Sequence, residues 1–334
     1  MKILFAIQGT GNGHVSRARD VYPELAKYGT VDVLISGIQA DVDFPFPIKY
    51  KLYGMSFIFG KRGGVDFWAT AKTLKLSRLR KDIKTFPIEE YDLVINDFEP
   101  ISAWACRRKK LPCISVSHQC AVANKNSPPP DGGDPFGKFL LHHYAPVTAE
   151  YGFHFKAFDE NIFTPVIRRE IRALTPTDEG HYTVYLPAYD DATIVKHLSQ
   201  FKNARWQVFS KHNKESFVSG NVAVQKVENR AFIRSMASSR GVLCGAGFEG
   251  PAEAMYLNKK LLVIPMLTQY EQHCNAAGAK VMGATVIKTL SEKYYDAIND
   301  WLENGKKIEV DYPDITEEII EKIVRTHAPA GKLP

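Results

Sequence analysis

Residues 241–278 contain the side chains best suited to bind a ligand, and they begin with a glycine-rich turn. The apolar run 241–244 predicts a short strand that ends at Gly245 and Gly247, and Pro251 stands where a helix would have its first turn. Such a turn before a helix N-terminus is an anion site, because unpaired backbone N–H groups point at the ligand. Glu253, just inside this helix, could accept hydrogen bonds from a vicinal diol such as a ribose.

A second apolar run, 261–265, leads into a dense cluster of hydrogen-bonding side chains. These side chains could form hydrogen bonds with the hydroxyls of a sugar. In a parallel α/β sheet both turns would open at the carboxyl ends of strands, where ligands bind. Together, the two turns predict a nucleotide-sugar site. The polar cluster consists of Thr268, Gln269, Glu271, Gln272 and Asn275.

Three residues of the N-terminal half follow predicted strands and are candidates for a catalytic base. His14 follows a glycine loop, and its unperturbed pKa of about 6.5 suits proton transfer; the alternative is a histidine that braces the first helix. Asp97 ends strand 91–96 and could orient His14 or act as the base, the alternative being an N-cap of the next helix. His118 follows strand 113–117, where a structural histidine is the alternative.

The elements that position these residues alternate between strands and helices. Strands are predicted at 2–7, 31–36, 48–53, 91–96, 113–117 and 152–155, and again at 181–188, 206–210, 222–225, 241–244 and 261–265. Such alternation is typical of parallel, doubly wound sheets. We therefore expect an α/β protein with two Rossmann-like domains facing a cleft, residues 1–157 and 158–312, and a C-terminal helix in 313–334 that could pack back on the first domain.

The composition of the chain excludes several classes of protein. At 334 residues it exceeds the ~250–300 at which single cores tend to split. Its net charge of +6 suits an anionic ligand or membrane surface, but no RNA-binding aromatic motif or zinc-finger spacing occurs, so no nucleic-acid partner is expected. The five cysteines lack a C-x-x-C pair, and no stretch approaches ~18 apolar residues. We expect a cytoplasmic protein with reduced cysteines.

Residues 61–84 carry a basic face within a long helical pattern, 63–86. This face could be a solvated helix surface. It could also dock on anionic lipid with the help of nearby aromatic side chains, which would place the protein at the inner face of the cell membrane. The second reading would suit a polyprenyl-linked acceptor. The basic residues are Lys61, Arg62, Lys72, Lys75, Arg78, Arg80, Lys81 and Lys84.

Two motifs far apart in the chain resemble one family. GTGNGHVSRA (9–18) follows the first strand, and GAG-x3-PAEA, LLVIP and YEQHCNA follow in order across 245–276. They resemble the two-domain GT-B glycosyltransferases, above all the lipid-II-forming N-acetylglucosaminyltransferases and the UDP-glycosyltransferases. The chain departs from the lipid-II-forming enzymes by reading GTGNGH instead of GGTGGH, and by having Gln119 where they have glutamate. The resemblance therefore does not identify the acceptor.

The resemblance assigns roles to individual residues. It implies that Glu253 holds the ribose hydroxyls, and that Glu271 and Gln272 contact the donor sugar. Arg168, in PVIRRE (165–170), would reach the nucleotide phosphates. Backbone amides at the helix start would hold the diphosphate, and the N-terminal loop with His14 would face the acceptor. The helix start comprises Gly245, Gly247, Phe248 and Gly250, and the loop comprises Gly11, Asn12 and Gly13.

With this resemblance, we expect an inverting glycosyltransferase that moves a sugar to a hydroxyl acceptor, which could be lipid-linked or a cell-envelope glycan. The resemblance alone implies that the donor is a UDP-sugar, with UDP-GlcNAc as a candidate. Without an Asp-x-Asp at a strand end or a His/Cys ligand set, neither metal nor cofactor is expected. A UDP-sugar 2-epimerase and a non-catalytic nucleotide-sugar-binding protein are the alternatives. NAD binding is disfavoured because the loop reads G-x-G-x-G and the second strand ends at Ser36, without an acidic residue.

Overall fold

The computed structural model describes residues 1–10, 12–37, 44–54, 76–213 and 215–332. Within these residues the chain forms two seven-stranded sheets, and helices connect most of the consecutive strands. The predicted fold class, two doubly wound parallel-sheet domains, is confirmed. Gly11, the side chain of Asn12, and the part of the predicted basic helix before residue 76 lie outside the described residues.

The N-terminal sheet has the order β3-β2-β1-β4-β5-β6-β7, and every neighbouring pair of strands is parallel. Chain order reverses between β1 and β4, so a crevice opens beyond the carboxyl ends of these two strands. Residues 3–8 are all buried, as expected for a parallel strand covered on both faces. The strands are β1 (Lys2–Gln8), β2 (Thr30–Ser36), β3 (Tyr50–Leu52), β4 (Leu93–Asp97), β5 (Ile114–Ser117), β6 (Ala149–Phe153) and β7 (Ile162–Phe163).

Three helices of the N-terminal half, those that begin at Asn12, Pro100 and His118, follow a strand after three residues or fewer. The helix predicted over 138–149 instead ends at His143. Pro146 explains the early end, because the residue before a proline is biased away from helical backbone angles. These helices are α1 (Asn12–Ala26), α2 (Leu76–Thr85), α3 (Pro100–Lys109), α4 (His118–Ala123) and α5 (Pro135–His143).

The C-terminal sheet repeats the arrangement with the order β10-β11-β9-β8-β12-β13-β14. Its order reverses between β8 and β12, so the glycine turn after β12 lies at the second crevice. The strand β10 is antiparallel to its neighbour, and the others are parallel. The strands are β8 (His181–Tyr185), β9 (Arg205–Ser210), β10 (Phe217–Ser219), β11 (Val222–Lys226), β12 (Gly241–Gly245), β13 (Lys260–Ile264) and β14 (Thr285–Val286).

Two helices of the second half carry the residues singled out from the sequence. They are α9, which starts two residues before Pro251, and α10, which follows the polar turn. No helix in the described part of the chain is long and apolar enough to cross a membrane. The helices are α6 (Arg169–Arg172), α7 (Asp191–Leu198), α8 (Asn229–Ser238), α9 (Glu249–Tyr256), α10 (Tyr270–Val281), α11 (Tyr295–Asn304) and α12 (Thr316–His327).

Segments on both sides of residue 157 contribute to the N-terminal half. The strand β7 pairs with β6 in the first sheet, so this sheet extends to Phe163. The last helix, α12, returns to the same half: the Lys27 Nζ–Glu317 Oε1 distance is 2.9 Å, and Tyr151 Oη lies 3.0 Å from His327 Nε2. Its apolar face, which includes Ile320 and Val324, is buried, so burial of this stripe fixes the helix there.

Candidate active site

His14 and Asp97 meet at the crevice of the N-terminal sheet. His14 lies in the first turn of α1, which follows β1, and Asp97 is the last residue of β4, the strand beside β1. His14 Nδ1 is 2.8 Å from Asp97 Oδ1, and the His14 side chain remains 11% exposed. The reversal of strand order thus brings together two residues that are 83 positions apart in the chain.

Arg17 is a third member of this group, and the sequence analysis missed it. It lies one turn after His14 on α1 and donates from Nη2 to both Asp97 oxygens, at 2.9 and 2.8 Å. Its Nη1 donates to Glu249 Oε1 at 2.6 Å, so the guanidinium joins the two halves of the protein. The three-residue spacing of His14 and Arg17 on one helix face was the available signal.

Glu249 reaches Arg17 because Gly13 leaves room for it. A Cβ at position 13 would collide with the Glu249 carboxylate. Glu249 is the first residue of α9, where a negative charge interacts favourably with the helix dipole. The predicted loop glycine at position 13 therefore permits a contact across the cleft, which is a role that its place in the motif did not reveal.

The charges around His14 set its protonation. Burial raises the pKa of Asp97, but the neighbouring Arg17 and His14 outweigh burial and hold that pKa below its usual range. Burial lowers the pKa of His14, yet the adjacent Asp97 carboxylate outweighs burial and raises the pKa above its usual 6.5. Because the Asp97 carboxylate accepts from Nδ1–H, the neutral ring presents Nε2 as a proton acceptor, as a general base requires.

Gln119 and Glu271 continue this network across the cleft. Gln119, on α4, has its Nε2 3.3 Å from His14 Nε2 and donates to Glu271 Oε2 at 3.1 Å. Glu271 lies in the first turn of α10, just after the polar turn that follows β13. The predicted base and the predicted sugar-binding carboxylate are therefore separated by one amide side chain.

His118 occupies a packing position, in contrast to its prediction as a catalytic residue. Its Nδ1 is 2.7 Å from the Phe153 carbonyl oxygen, and its Nε2 is 2.7 Å from Asn275 Oδ1. The ring is 1% exposed and stacks on Phe248, with centroids 3.8 Å apart. Burial lowers the pKa of His118. Because both ring nitrogens are engaged, we assign His118 to holding α4 against α9 and α10, and no longer to proton transfer.

The glycine turn after β12 opens toward unfilled space. A Cβ at Gly247 or Gly250 would meet no atom within 4 Å, and one at Gly245 would meet only the Ile264 carbonyl oxygen, at 3.9 Å. The first amides of α9 lack partners within the helix, as in any α-helix. Phe248 is buried against His118, so only its backbone could face a ligand. The turn therefore combines open space with N–H groups and a positive helix end.

The two residues predicted to bind different parts of a nucleotide contact each other. Arg168 donates from Nε to Glu253 Oε1 at 2.5 Å and from Nη2 to Glu253 Oε2 at 2.8 Å. Glu253 is 3% exposed, and its burial raises its pKa although Arg168 opposes that effect. Arg168 also donates to Glu170, at 2.5 Å. This two-point contact fixes the orientation of the Glu253 carboxylate.

Gln272 also takes part in local structure. Its Oε1 accepts from the Met266 backbone N–H at 2.9 Å and so closes the turn between β13 and α10. Among the described residues, no group of three or more His, Cys, Asp or Glu side chains is arranged to hold a metal ion.

A model of glycosyl transferase family 1 matches residues 1–304 of the chain. A comparison with curated protein sequences found no significant match. The matched range includes both predicted motifs and all the residues of the candidate active site.

Three solved structures illustrate what the fold is similar to. S. aureus MnaA, in a co-structure with UDP, aligns with a TM-score of 0.60 and 10% identity over 97% of this chain and 96% of its own. MurG of Acinetobacter baumannii aligns at 0.55 and 14%, over 97% and 100% of the two chains. A UDP-N-acetylglucosamine 2-epimerase aligns at 0.55 and 15%, over 98% and 96%. These similarities confirm the predicted GT-B fold.

Proposed function

The chain belongs to glycosyl transferase family 1, and from this premise we propose that it is an inverting enzyme that transfers a sugar from a UDP-linked donor to a hydroxyl acceptor. The arrangement of His14 and Asp97 at the cleft, 2.8 Å apart and facing Glu271 through Gln119, is the observation that carries the proposal. UDP-GlcNAc is our candidate donor.

His14 acts as the base in this reaction. The acceptor hydroxyl gives its proton to His14 Nε2, and its oxygen forms a bond to the anomeric carbon of the donor sugar. The bond between that carbon and the diphosphate oxygen breaks, and its electron pair leaves with the diphosphate. One displacement inverts the configuration and needs no covalent nucleophile. Asp97 holds the ring in the required tautomer and stabilises the imidazolium that forms.

The glycine turn and the start of α9 stabilise the leaving diphosphate. Open space at Gly247 and Gly250 allows the diphosphate to approach the backbone, and the first amides of α9 supply donors without a metal ion. We propose no cofactor, and the nucleotide sugar is the donor substrate. The UDP co-structure of MnaA, a protein with the same fold, supports uridine diphosphate as the nucleotide.

Glu253 binds the ribose in this proposal, and its replacement tests the donor site. Arg168 already uses one lone pair on each Glu253 oxygen, so the remaining lone pairs can accept from the ribose hydroxyls. We expect Glu253→Gln to weaken UDP binding at least about tenfold, since one charged hydrogen bond contributes about 1.5–3 kcal/mol. Thermal shift with UDP measures this, because a ligand at a hundredfold excess over Kd stabilises by about 2.7 kcal/mol.

Glu170→Gln is the matched control, because Glu170 also accepts from Arg168 but lies outside the glycine turn. It should bind UDP within about twofold of the wild type. If Glu253→Gln binds UDP as tightly as the wild type, the proposed ribose contact is wrong.

Product analysis of a nucleotide-sugar panel tests the reaction itself. Epimerised UDP-sugar formed without an acceptor would contradict transfer, and donor binding without turnover on any acceptor would favour a binding protein.

A lipid-linked acceptor and a position at the inner face of the cell membrane complete the proposal. Four basic side chains of α2, Arg78, Arg80, Lys81 and Lys84, are exposed, which supports contact with anionic lipid. We expect Arg78→Glu/Lys81→Glu to weaken binding to phosphatidylglycerol-containing vesicles by about tenfold or more, because each basic residue contributes about 1 kcal/mol near such a surface. Vesicle co-sedimentation measures this affinity.

Lys226→Glu/Arg230→Glu is the control for this test, because it makes the same change in net charge on exposed residues of the C-terminal half. It should leave vesicle binding within about twofold of the wild type. Equal weakening by both double variants would mean that net charge alone acts, and no weakening by either would remove the membrane contact from the proposal.

A further inference from the structure

Gln119 lies between the two halves of the proposed reaction site. It is the second residue of α4 and is 4% exposed. Its Nε2 is 3.3 Å from His14 Nε2 and 3.1 Å from Glu271 Oε2. The side chain therefore touches both the base and the carboxylate that would contact the donor sugar.

The neighbours of Gln119 determine which way its amide points. Glu271 is an acceptor as a carboxylate, and His14 Nε2 is an acceptor in the neutral ring because Asp97 accepts from Nδ1–H. Two acceptors require two donors, so the NH₂ group of Gln119 faces both of them. The opposite orientation would place the amide oxygen against two further acceptors.

The amide oxygen of Gln119 has no hydrogen-bond partner. Oε1 is buried, and none of the described residues donates to it. A buried polar atom without a partner is uncommon and carries a desolvation cost, which a bound ligand can relieve by donating a hydrogen bond. The unsatisfied oxygen lies on the same side chain as the N–H group that covers the base. Oε1 is therefore an unsatisfied acceptor close to the base, and a ligand hydroxyl that reached it would supply the missing hydrogen bond.

We propose that Gln119 is the positioning residue for the acceptor hydroxyl. An N–H of Gln119 donates to a lone pair of the hydroxyl oxygen while that hydroxyl donates its hydrogen to His14 Nε2. Without acceptor, the same N–H covers His14 Nε2 itself, so the incoming hydroxyl takes the place of a contact that already exists. Oε1 accepts from a second hydroxyl of the ligand, which assigns a polyol such as a sugar as the acceptor class. This inference rests on the proposed transfer reaction.

The reaction balances with this contact in place. The acceptor oxygen keeps one lone pair on the Gln119 N–H and uses another to form the bond to the anomeric carbon. Its proton moves to His14 Nε2, and the electron pair of the broken bond leaves with the diphosphate. The charged groups near the ring are Asp97 and Arg17 in the N-terminal half, and Glu271 and, through Arg17, Glu249 in the C-terminal half. Gln119 is the neutral side chain that contacts both His14 and Glu271 among these charged groups.

Gln119→Ala and Gln119→Glu test the inference in the full-length protein. Gln119→Ala should lower kcat/KM for the acceptor by about 10- to 100-fold, since loss of orientation at the reacting centre has effects of this size. UDP affinity should stay within about twofold. Gln119→Glu keeps the size of the side chain but adds a carboxylate beside the imidazole, which favours its charged form. The rising limb of kcat/KM against pH should therefore move to higher pH.

Gln200→Ala is the matched control, because Gln200 is exposed and its side chain donates to the Lys196 carbonyl oxygen on α7, not to a residue of the candidate site. It should behave as the wild type in every measurement. An NMR titration of the His14 ring in wild type and Gln119→Glu provides a second readout that needs no substrate, and the titration of His14 should shift upward in the variant.

The outcomes separate the two proposals. If the wild type transfers sugar while both Gln119 variants keep its acceptor kcat/KM and pH profile, the positioning role is wrong. If the NMR titration of His14 is the same in wild type and Gln119→Glu, the contact between the two side chains does not exist in solution, and the inference is overturned without any assay of transfer. If the wild type transfers no sugar from any donor but His14 shifts in Gln119→Glu, the contact stands and the proposed reaction fails.

Discussion

His14→Ala should lower kcat for sugar transfer by about 10²- to 10⁴-fold, the range that a positioned general base contributes. The alanine cannot take the acceptor proton, and Asp97, 2.8 Å behind the ring, is too deeply buried at 1% exposure to replace it. Donor affinity should stay within about twofold, because the glycine turn after β12 and Glu253 belong to the other half of the protein. Steady-state kinetics with a UDP-sugar, together with UDP binding, measures both quantities.

The pH profile checks the role of His14 independently of the size of the loss. A base works in its neutral form, and the Asp97 carboxylate raises the pKa of His14 above 6.5. The wild-type kcat/KM should therefore rise with pH until the ring is neutral and then level off, and His14→Ala should lack this limb. His142 is an exposed histidine near the end of α5, and His142→Ala should change neither kcat nor the rise of kcat/KM with pH. A variant at position 14 that keeps wild-type turnover would assign the base elsewhere.

Arg17→Met should lower the free energy of unfolding by about 3–5 kcal/mol, because removing one partner of a buried ion pair leaves the other charge uncompensated. Arg17 is 3% exposed and holds Asp97 and Glu249, whose side chains are 1% and 24% exposed. The variant should also lose transfer activity, since Asp97 would no longer be fixed behind His14. Urea unfolding near pH 7 measures the stability.

The pH dependence of this loss has a defined sign. The pKa of Asp97 is lowered in the folded protein, so its contribution is fully present above the unfolded pKa of about 3.9 and is lost as pH falls through the folded-state value. The difference between wild type and Arg17→Met should therefore be largest near neutral pH and shrink below about pH 4. Arg19→Met, on the same helix but partly exposed, should cost no more than about 0.5 kcal/mol. Equal stability of Arg17→Met and wild type would refute the buried ion-pair network.

Local patterns in the sequence were sufficient for eleven of the described strands, the glycine turns and the fold class, but the short strands β7, β10 and β14 were missed. The apolar run 241–244 lies in β12, and the glycine turn that follows it has open space around Gly247 and Gly250. Asp97 and His14 were predicted together because both follow strands, and parallel strands end at a common edge. These features depend on residues within a few positions of one another, or on the regular alternation of strands and helices. They can therefore be predicted from the sequence alone.

The tertiary structure revealed contacts between predicted site residues and partners that are distant in the chain. His118 follows a strand as His14 does, but Phe248 stacks on its ring and Asn275 contacts its Nε2, so we assign it to packing. Arg168 and Glu253 were assigned to different parts of the donor, and the fold pairs them with each other across 85 positions. No local pattern records such pairings, because they depend on how segments that are distant in the chain pack together in the folded protein.

The sequence alone therefore predicted most of the strands and the positions of the glycine turns, since backbone geometry and side-chain periodicity are local. Only the tertiary structure decided that Arg17 joins Asp97 to Glu249, 232 positions away from it, and that Gln119 separates His14 from Glu271, 152 positions away from Gln119. The physical reason is that these contacts depend on how the two halves face each other across the cleft. Burial then strengthens the interactions between their charges and raises the free-energy cost of an unsatisfied polar atom.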